Sequence, residues 1–192
     1  MHHPPLILAS ASPRRAALLR EAGLEFRIVI AKVPETHPDH FSPSESARYN
    51  ARRKAISVAL RHPHCLVLGA DTVVSLDRTI LGKPGSIAEA ASMLAQLAGK
   101  SHLVITGVCM IHLESKREAC FADVTRVHFR PLTPAQIRDY LERIDPLDKA
   151  GAYAIQEQGD LIVDSIEGSF ANVVGLPLER VLEALRRWHP AR

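Results

Sequence analysis

Two long apolar stretches, Leu103 to about Leu113 and residues 119–129, follow one another with no helix between them. The second alternates, placing Phe121, Thr125, Val127 and Phe129 on one side, as a half-buried antiparallel strand does. Parallel neighbours need a crossover of a dozen or more residues, so this pair argues against a purely parallel, doubly wound sheet.

Elsewhere strand-like and helical patterns take turns. Leu6-Ile7-Leu8-Ala9 reads as a strand that ends in Ser10-Ala11-Ser12-Pro13-Arg14-Arg15. Ser12 then caps a helix with Pro13 at its first position, and Gly23 stops it. Phe26 to Ile30 is a short strand, and residues 31–43 form a polar loop carrying Glu35. Ser44 to about Leu60 is helical, with Ala47, Ala51, Ala55, Val58 and Ala59 on a close-packing face. Leu66-Val67-Leu68 is a short strand ending in Gly69-Ala70-Asp71-Thr72, and Val73-Val74 continues its apolar character. Gly82-Lys83-Pro84-Gly85 is a turn before a helix that starts at Ser86, buries Ala90, Met93, Leu94 and Leu97, and stops at Gly99. Pro134 opens a helix to about Arg143. Ala154 to Gln156 and Leu161 to Val163 read as short strands around Gly159, and Pro177 to about Trp188 is an amphipathic helix.

Composition narrows the function. At 192 residues, 46% apolar and 23% charged, the chain is a globular protein able to bury a sizeable core. No apolar segment reaches membrane-spanning length, and a signal-peptide pattern is not expected. The three cysteines, Cys65, Cys109 and Cys120, are an odd number without paired spacing, which predicts reduced thiols in a cytoplasmic protein. A formal charge of +3, with five Phe, three Tyr and one Trp, suits an anionic small molecule and disfavours a nucleic-acid surface.

Several polar residues stand where polarity is costly. Arg14 and Arg15 occupy the first turn of a helix, where cations oppose the helix dipole. They either grip an anion together with Ser10, Ser12 and free backbone N–H groups, or simply face solvent. Asp71 follows an apolar strand at the edge of the core and needs a partner or a metal. Lys83 is held between Gly82 and Pro84. Gln156 ends an apolar run, where its amide either reads a nucleobase edge or pairs with the backbone at Gly168-Ser169. His37 and His40 lack a third ligand for structural zinc. Phosphate-loop, dinucleotide-loop and serine-hydrolase patterns are missing.

The ordered set Leu8-Ala9-Ser10-Ala11-Ser12-Pro13-Arg14-Arg15, Lys54-Ala55, Gly69-Ala70-Asp71-Thr72, Gly82-Lys83-Pro84 and Thr106-Gly107-Val108 resembles the Maf family of nucleotide pyrophosphatases. Asp148-Lys149-Ala150-Gly151-Ala152-Tyr153, Gly168-Ser169 and Asn172-Val173-Val174-Gly175-Leu176-Pro177 extend the likeness to residues 6–188. The resemblance implies one Maf-like domain over residues 1–192. It also implies a mixed α/β fold related to inosine triphosphate pyrophosphatases, with an elongated central sheet, flanking helices and two lobes around a cleft. The implied reaction is hydrolysis of a nucleoside triphosphate to monophosphate and pyrophosphate with Mg²⁺ or Mn²⁺. Asp71 falls at the family's catalytic base, which also meets metal, and Glu35 at a metal position. Ser10, Arg14, Arg15, Lys54 and Lys83 match phosphate-binding positions. Arg14, Thr72 and Gln156 match the branch acting on dTTP and UTP. The rivals are a pyrophosphatase for 7-methyl-GTP or another modified nucleotide, and a non-catalytic nucleotide-binding or nucleic-acid-associated regulator. Relatives are commonly dimeric, which implies a homodimer.

Overall fold

The Ser-Pro pair starts a helix as its local chemistry requires. In the computed structural model, which describes residues 4–188, β1 (Leu6–Leu8) leads into α1 (Pro13–Glu21), and the Ser12 hydroxyl accepts from the Arg15 N–H. The strand expected over Phe26–Ile30 shrinks to β2 (Arg27–Ile28). α2 (Pro43–Ala59) begins slightly early because Ser42, not Ser44, is its cap. Ser42 and Glu45 each accept from the other's backbone N–H, forming a reciprocal capping box.

The next strand departs more from expectation. β3 (Leu66–Leu76) runs straight through Gly69 and Asp71 instead of ending there. It turns back as β4 (Thr79–Leu81). α3 (Ile87–Leu97) is capped by Ser86 and buries the four residues its period selects. β5 (Ser101–His112), β6 (Arg117–Phe129), α4 (Pro134–Glu142), β7 (Val163–Glu167), α5 (Phe170–Val174) and α6 (Leu178–Trp188) complete the fold. Strands neighbour one another in the order β2-β1-β3-β5-β6-β7, with β4 on β3. β1 is parallel to β2 and β3, whereas β4 and β7 pair antiparallel with β3 and β6. The sheet is therefore mixed, as the uninterrupted strand pair demanded.

The chain divides into two compact units. One comprises the chain through Asp71, Thr106–Asp123 and the chain from Gly175 onward; the other comprises Thr72–Ile105 and Val124–Val174. In the first, successive strand residues face different cores. Leu8, Leu66, Leu68, Ala70, Val108 and Met110 join side chains of α1 and α6. Ile7, Val67, Cys109 and Ile111 join Ala51, Ala55 and Val58 of α2. Gly69 shares the second side, and a Cβ there would lie 2.4 Å from the Ala51 carbonyl oxygen. The alanine face of α2 thus lies flush on β3. By the same two-residue period, Asp71 also faces α2.

Cys109 and Cys120 of this unit form a disulfide, which corrects the expectation of three reduced thiols. Their Cα atoms are 4.1 Å apart although they stand eleven positions apart in sequence, because the turn after β5 returns the chain alongside it. Cys65 remains a free, buried thiol.

The second unit packs α3, α4 and the aromatic residues Phe129, Tyr140 and Tyr153 into one core. Residues 154–156 form a turn rather than the expected strand. Gly151, Ala152 and Gln158 adopt left-handed φ values of 68°, 64° and 56°, which interrupt any extended run. The Tyr140 hydroxyl then takes both backbone groups of Ala154, donating to its oxygen at 3.3 Å and accepting from its nitrogen at 3.1 Å.

Candidate active site

Asp71 is 3% exposed in the middle of β3, and α2 supplies its partners. Lys54 Nζ donates to its Oδ1 at 2.7 Å, and Asn50 Nδ2 donates to its Oδ2 at 3.2 Å. Lys54 and Asn50 stand four residues apart, on the α2 face that also carries Ala47, Ala51 and Ala55. The same Lys54 ammonium reaches Glu35 Oε1 at 2.6 Å. One cation therefore bridges two carboxylates, one sealed in the core and one open to solvent.

The loop bearing Glu35 is tied down on both sides of that residue. Arg53 Nη1 donates to the Pro34 carbonyl at 2.8 Å, and Asn50 grips the backbone of Thr36 through both its N–H and its C=O. Burial pushes the Asp71 carboxyl above its ordinary value; Lys54 opposes the shift, and the nearby Glu35 charge adds to it.

Arg15 contributes a second cation. Its Nε donates to the Gly175 carbonyl at 2.8 Å and its Nη1 to Ser10 Oγ at 3.1 Å, so the guanidinium is buried and oriented. Burial draws its pKa below its ordinary value, against the pull of Asp71 and Glu35. Arginine remains charged under such shifts, which places a fixed positive charge in their field. Arg14 follows Pro13 in the first turn and is half-buried.

The first unit thus holds Ser10, Arg14, Arg15, Glu35, Lys54 and Asp71, and it joins Arg15 to Ser10 and Lys54 to both acids. Thr72, Lys83 and Gln156 belong to the second unit. There Lys83 is exposed, on the turn whose Gly82 carbonyl accepts from the Gly151 N–H at 3.0 Å. Gln156 is also exposed and donates through Nε2 to Glu157 Oε1 at 3.3 Å. Gly168-Ser169 is bonded instead by Thr125, whose hydroxyl donates to the Ser169 carbonyl. Lys149 is buried and pairs with Asp148 at 2.7 Å, while also meeting Glu157 at 3.4 Å.

Two positions modify the sequence reading. Asp71 is a mid-strand residue facing a helix, not the last residue before a turn. Asn50 was not identified. The available signal was a carboxamide four residues before Lys54 on an otherwise small-residue face.

Glu35 and Asp71 offer hard oxygen donors converging on one point, now spanned by an ammonium, and this donor type suits Mg²⁺ or Mn²⁺. Among the described residues, Cys109, Glu118 and Cys120 also lie close enough to share an ion, but two of these sulfurs are joined to each other.

A family model described as Maf-like protein matches residues 5–188. The chain is 45% identical over 183 residues to the dTTP/UTP pyrophosphatase of Pelotomaculum thermopropionicum, covering 95% of this chain and 96% of that one. It is 44% identical over 182 residues to the dTTP/UTP pyrophosphatase of Desulforamulus reducens, covering 95% of each. It is 46% identical over 182 residues to the enzyme of the same name from a Geobacillus species, covering 95% of this chain and 97% of the relative.

Proposed function

The chain belongs to the Maf-like protein family, and from that premise we propose that it hydrolyses dTTP and UTP to the nucleoside monophosphate and pyrophosphate. The observation that carries the reading is the Lys54 bridge between exposed Glu35 and buried Asp71. A carboxylate made more basic by burial, yet oriented by a cation, is suited to take a proton from water near neutral pH.

In this reading Asp71 accepts the proton of the water that attacks the α-phosphorus, and pyrophosphate leaves. Arg15 and Lys54, with Ser10, Arg14 and Lys83, bind the triphosphate and spread the charge that builds on it. A divalent cation, Mg²⁺ or Mn²⁺, held by Glu35 and Asp71 would neutralise phosphate charge when bound. Thr72, Gln156 and Arg14 select the pyrimidine nucleotide. We place the whole activity in one domain spanning residues 1–192, in a cytoplasmic homodimer.

The decisive experiment offers dTTP, UTP, CTP and 7-methyl-GTP with Mg²⁺ or Mn²⁺ and identifies both products. Release of pyrophosphate and monophosphate from dTTP and UTP is expected. Preference for 7-methyl-GTP would move the chain to another branch, and orthophosphate release or binding without turnover would overturn the reaction.

A further inference from the structure

We propose that Asn50 is a positioning residue that sets the Glu35 loop against Asp71 before any nucleotide arrives. This rests on the catalytic reading of those two acids given above.

Asn50 is 1% exposed, and its carboxamide makes three hydrogen bonds. Oδ1 accepts from the Thr36 N–H at 3.1 Å, while Nδ2 donates to the Thr36 carbonyl at 3.0 Å and to Asp71 Oδ2 at 3.2 Å. Both amide donors are therefore used. The loop before α2 has no regular structure of its own, so its placement depends on such anchors. Holding Thr36 by both backbone groups leaves the adjacent Glu35 little freedom except its side-chain torsions, and Lys54 takes those up.

The second effect falls on Asp71. Lys54 engages one carboxylate oxygen and Asn50 the other, from positions one helical turn apart, so the plane of the carboxylate is fixed. A neutral amide does this without adding a second full positive charge. Asn50 thereby fixes the orientation of Asp71 and leaves it to accept a proton. An aliphatic residue would cost less to bury among Ala47, Ala51 and Ala55. The buried amide is explained by what it orients.

The test replaces Asn50 by Leu, which removes all three bonds at similar volume, and by Asp, which keeps the acceptor for Thr36 but loses both donors. Turnover of dTTP is measured alongside binding of Mn²⁺ alone, without nucleotide, and the thermal midpoint. In a folded Asn50→Leu protein, kcat should fall about 10- to 100-fold and Mn²⁺ affinity about 10-fold, with KM for dTTP nearly unchanged, as for lost partners of metal ligands elsewhere. Asn50→Asp should show the same split. If Asn50→Leu does not fold, Asn50→Ser carries the test, since its short hydroxyl cannot span Thr36 and Asp71 together. Wild-type kcat and Mn²⁺ affinity in the folded variant, or a loss confined to KM, would overturn the proposal. Failure of the catalytic reading is distinguishable: the unaltered protein would then turn over no triphosphate, while its Mn²⁺ binding would still report on Asn50.

Discussion

Lys54 Nζ lies 2.7 Å from Asp71 Oδ1, with the lysine side chain 11% and the aspartate side chain 4% exposed. Burial and pairing at this depth make the two residues unequal targets for mutation. Asp71→Asn removes the proton acceptor but leaves a similar shape and a polar partner. Turnover should fall by about 10²- to 10⁴-fold, while stability falls by only about 1–3 kcal/mol, because the new amide nitrogen faces one of the two donors that the carboxylate had satisfied. Lys54→Met instead strands a buried carboxylate, a loss of about 3–5 kcal/mol for pairs of this kind. Steady-state kinetics and urea titration of both variants separate the two effects; equal destabilisation by both would contradict the assignment.

Gly107 on β5 lies against the backbone of α2 at Ala47. A Cβ at Gly107 would come within 2.3 Å of the Ala47 carbonyl carbon and oxygen. Neither is the end of a flexible side chain, so the helix must lift. Gly107→Ala should cost about 1–3 kcal/mol. It should also reduce kcat, because the helix that lifts carries Asn50 and Lys54. Unchanged denaturant midpoint and unchanged kcat would show that α2 does not lie as close as described.

His102 makes stability depend on acid. Its Nε2 meets the Tyr153 hydroxyl at 2.7 Å, and Nδ1 has no hydrogen-bond partner among the described residues. Burial, helped by the His128 charge, lowers its pKa from 6.5 to about 4. The unfolded chain therefore binds a proton that the folded chain refuses between those values. The resulting stability is fully present above pH 6.5 and is lost as pH falls toward 4, by about 3 kcal/mol in total. Stability measured against pH should decline across that window. His102→Phe should flatten the decline, and an unaltered slope would assign it to other groups.

The Cys109–Cys120 bond closes a short loop. Cross-links of this span stabilise by about 3 kcal/mol, chiefly by restricting the unfolded chain. A phosphine reductant should lower the denaturant midpoint of the unaltered protein and leave Cys109→Ser unaffected. Equal midpoints with and without reductant would show that the bond contributes nothing.

Local chemistry was legible at several helix starts, where the deciding residues lie within a helical turn of one another, although the Ser42–Glu45 box was passed over in favour of Ser44. Ser12-Pro13 started α1, Ser86 started α3, and Ala90, Met93, Leu94 and Leu97 all turned inward. Asp71 was recognisable as a carboxylate in an apolar run, though its place in the strand was misread. An 11-residue strand that includes a glycine reads as two shorter pieces until the helix lying on that glycine is known. Residues 154–156 were misread for the converse reason. Their apolar character serves a turn whose backbone is satisfied by the Tyr140 hydroxyl, fourteen residues earlier.

The sequence by itself determined the family, the mixed character of the sheet and the starts of α1, α3 and α4. Each follows from contiguous motifs or from a period of two or 3.6 residues. Tertiary structure alone decided that Lys54 joins Glu35 to Asp71, that Asn50 belongs with them, and that Cys109 meets Cys120. Those pairings span eleven to twenty-one residues. They depend on α2 packing onto the glycine side of β3 and on β6 returning beside β5, and neither arrangement is encoded by the spacing of the paired residues themselves.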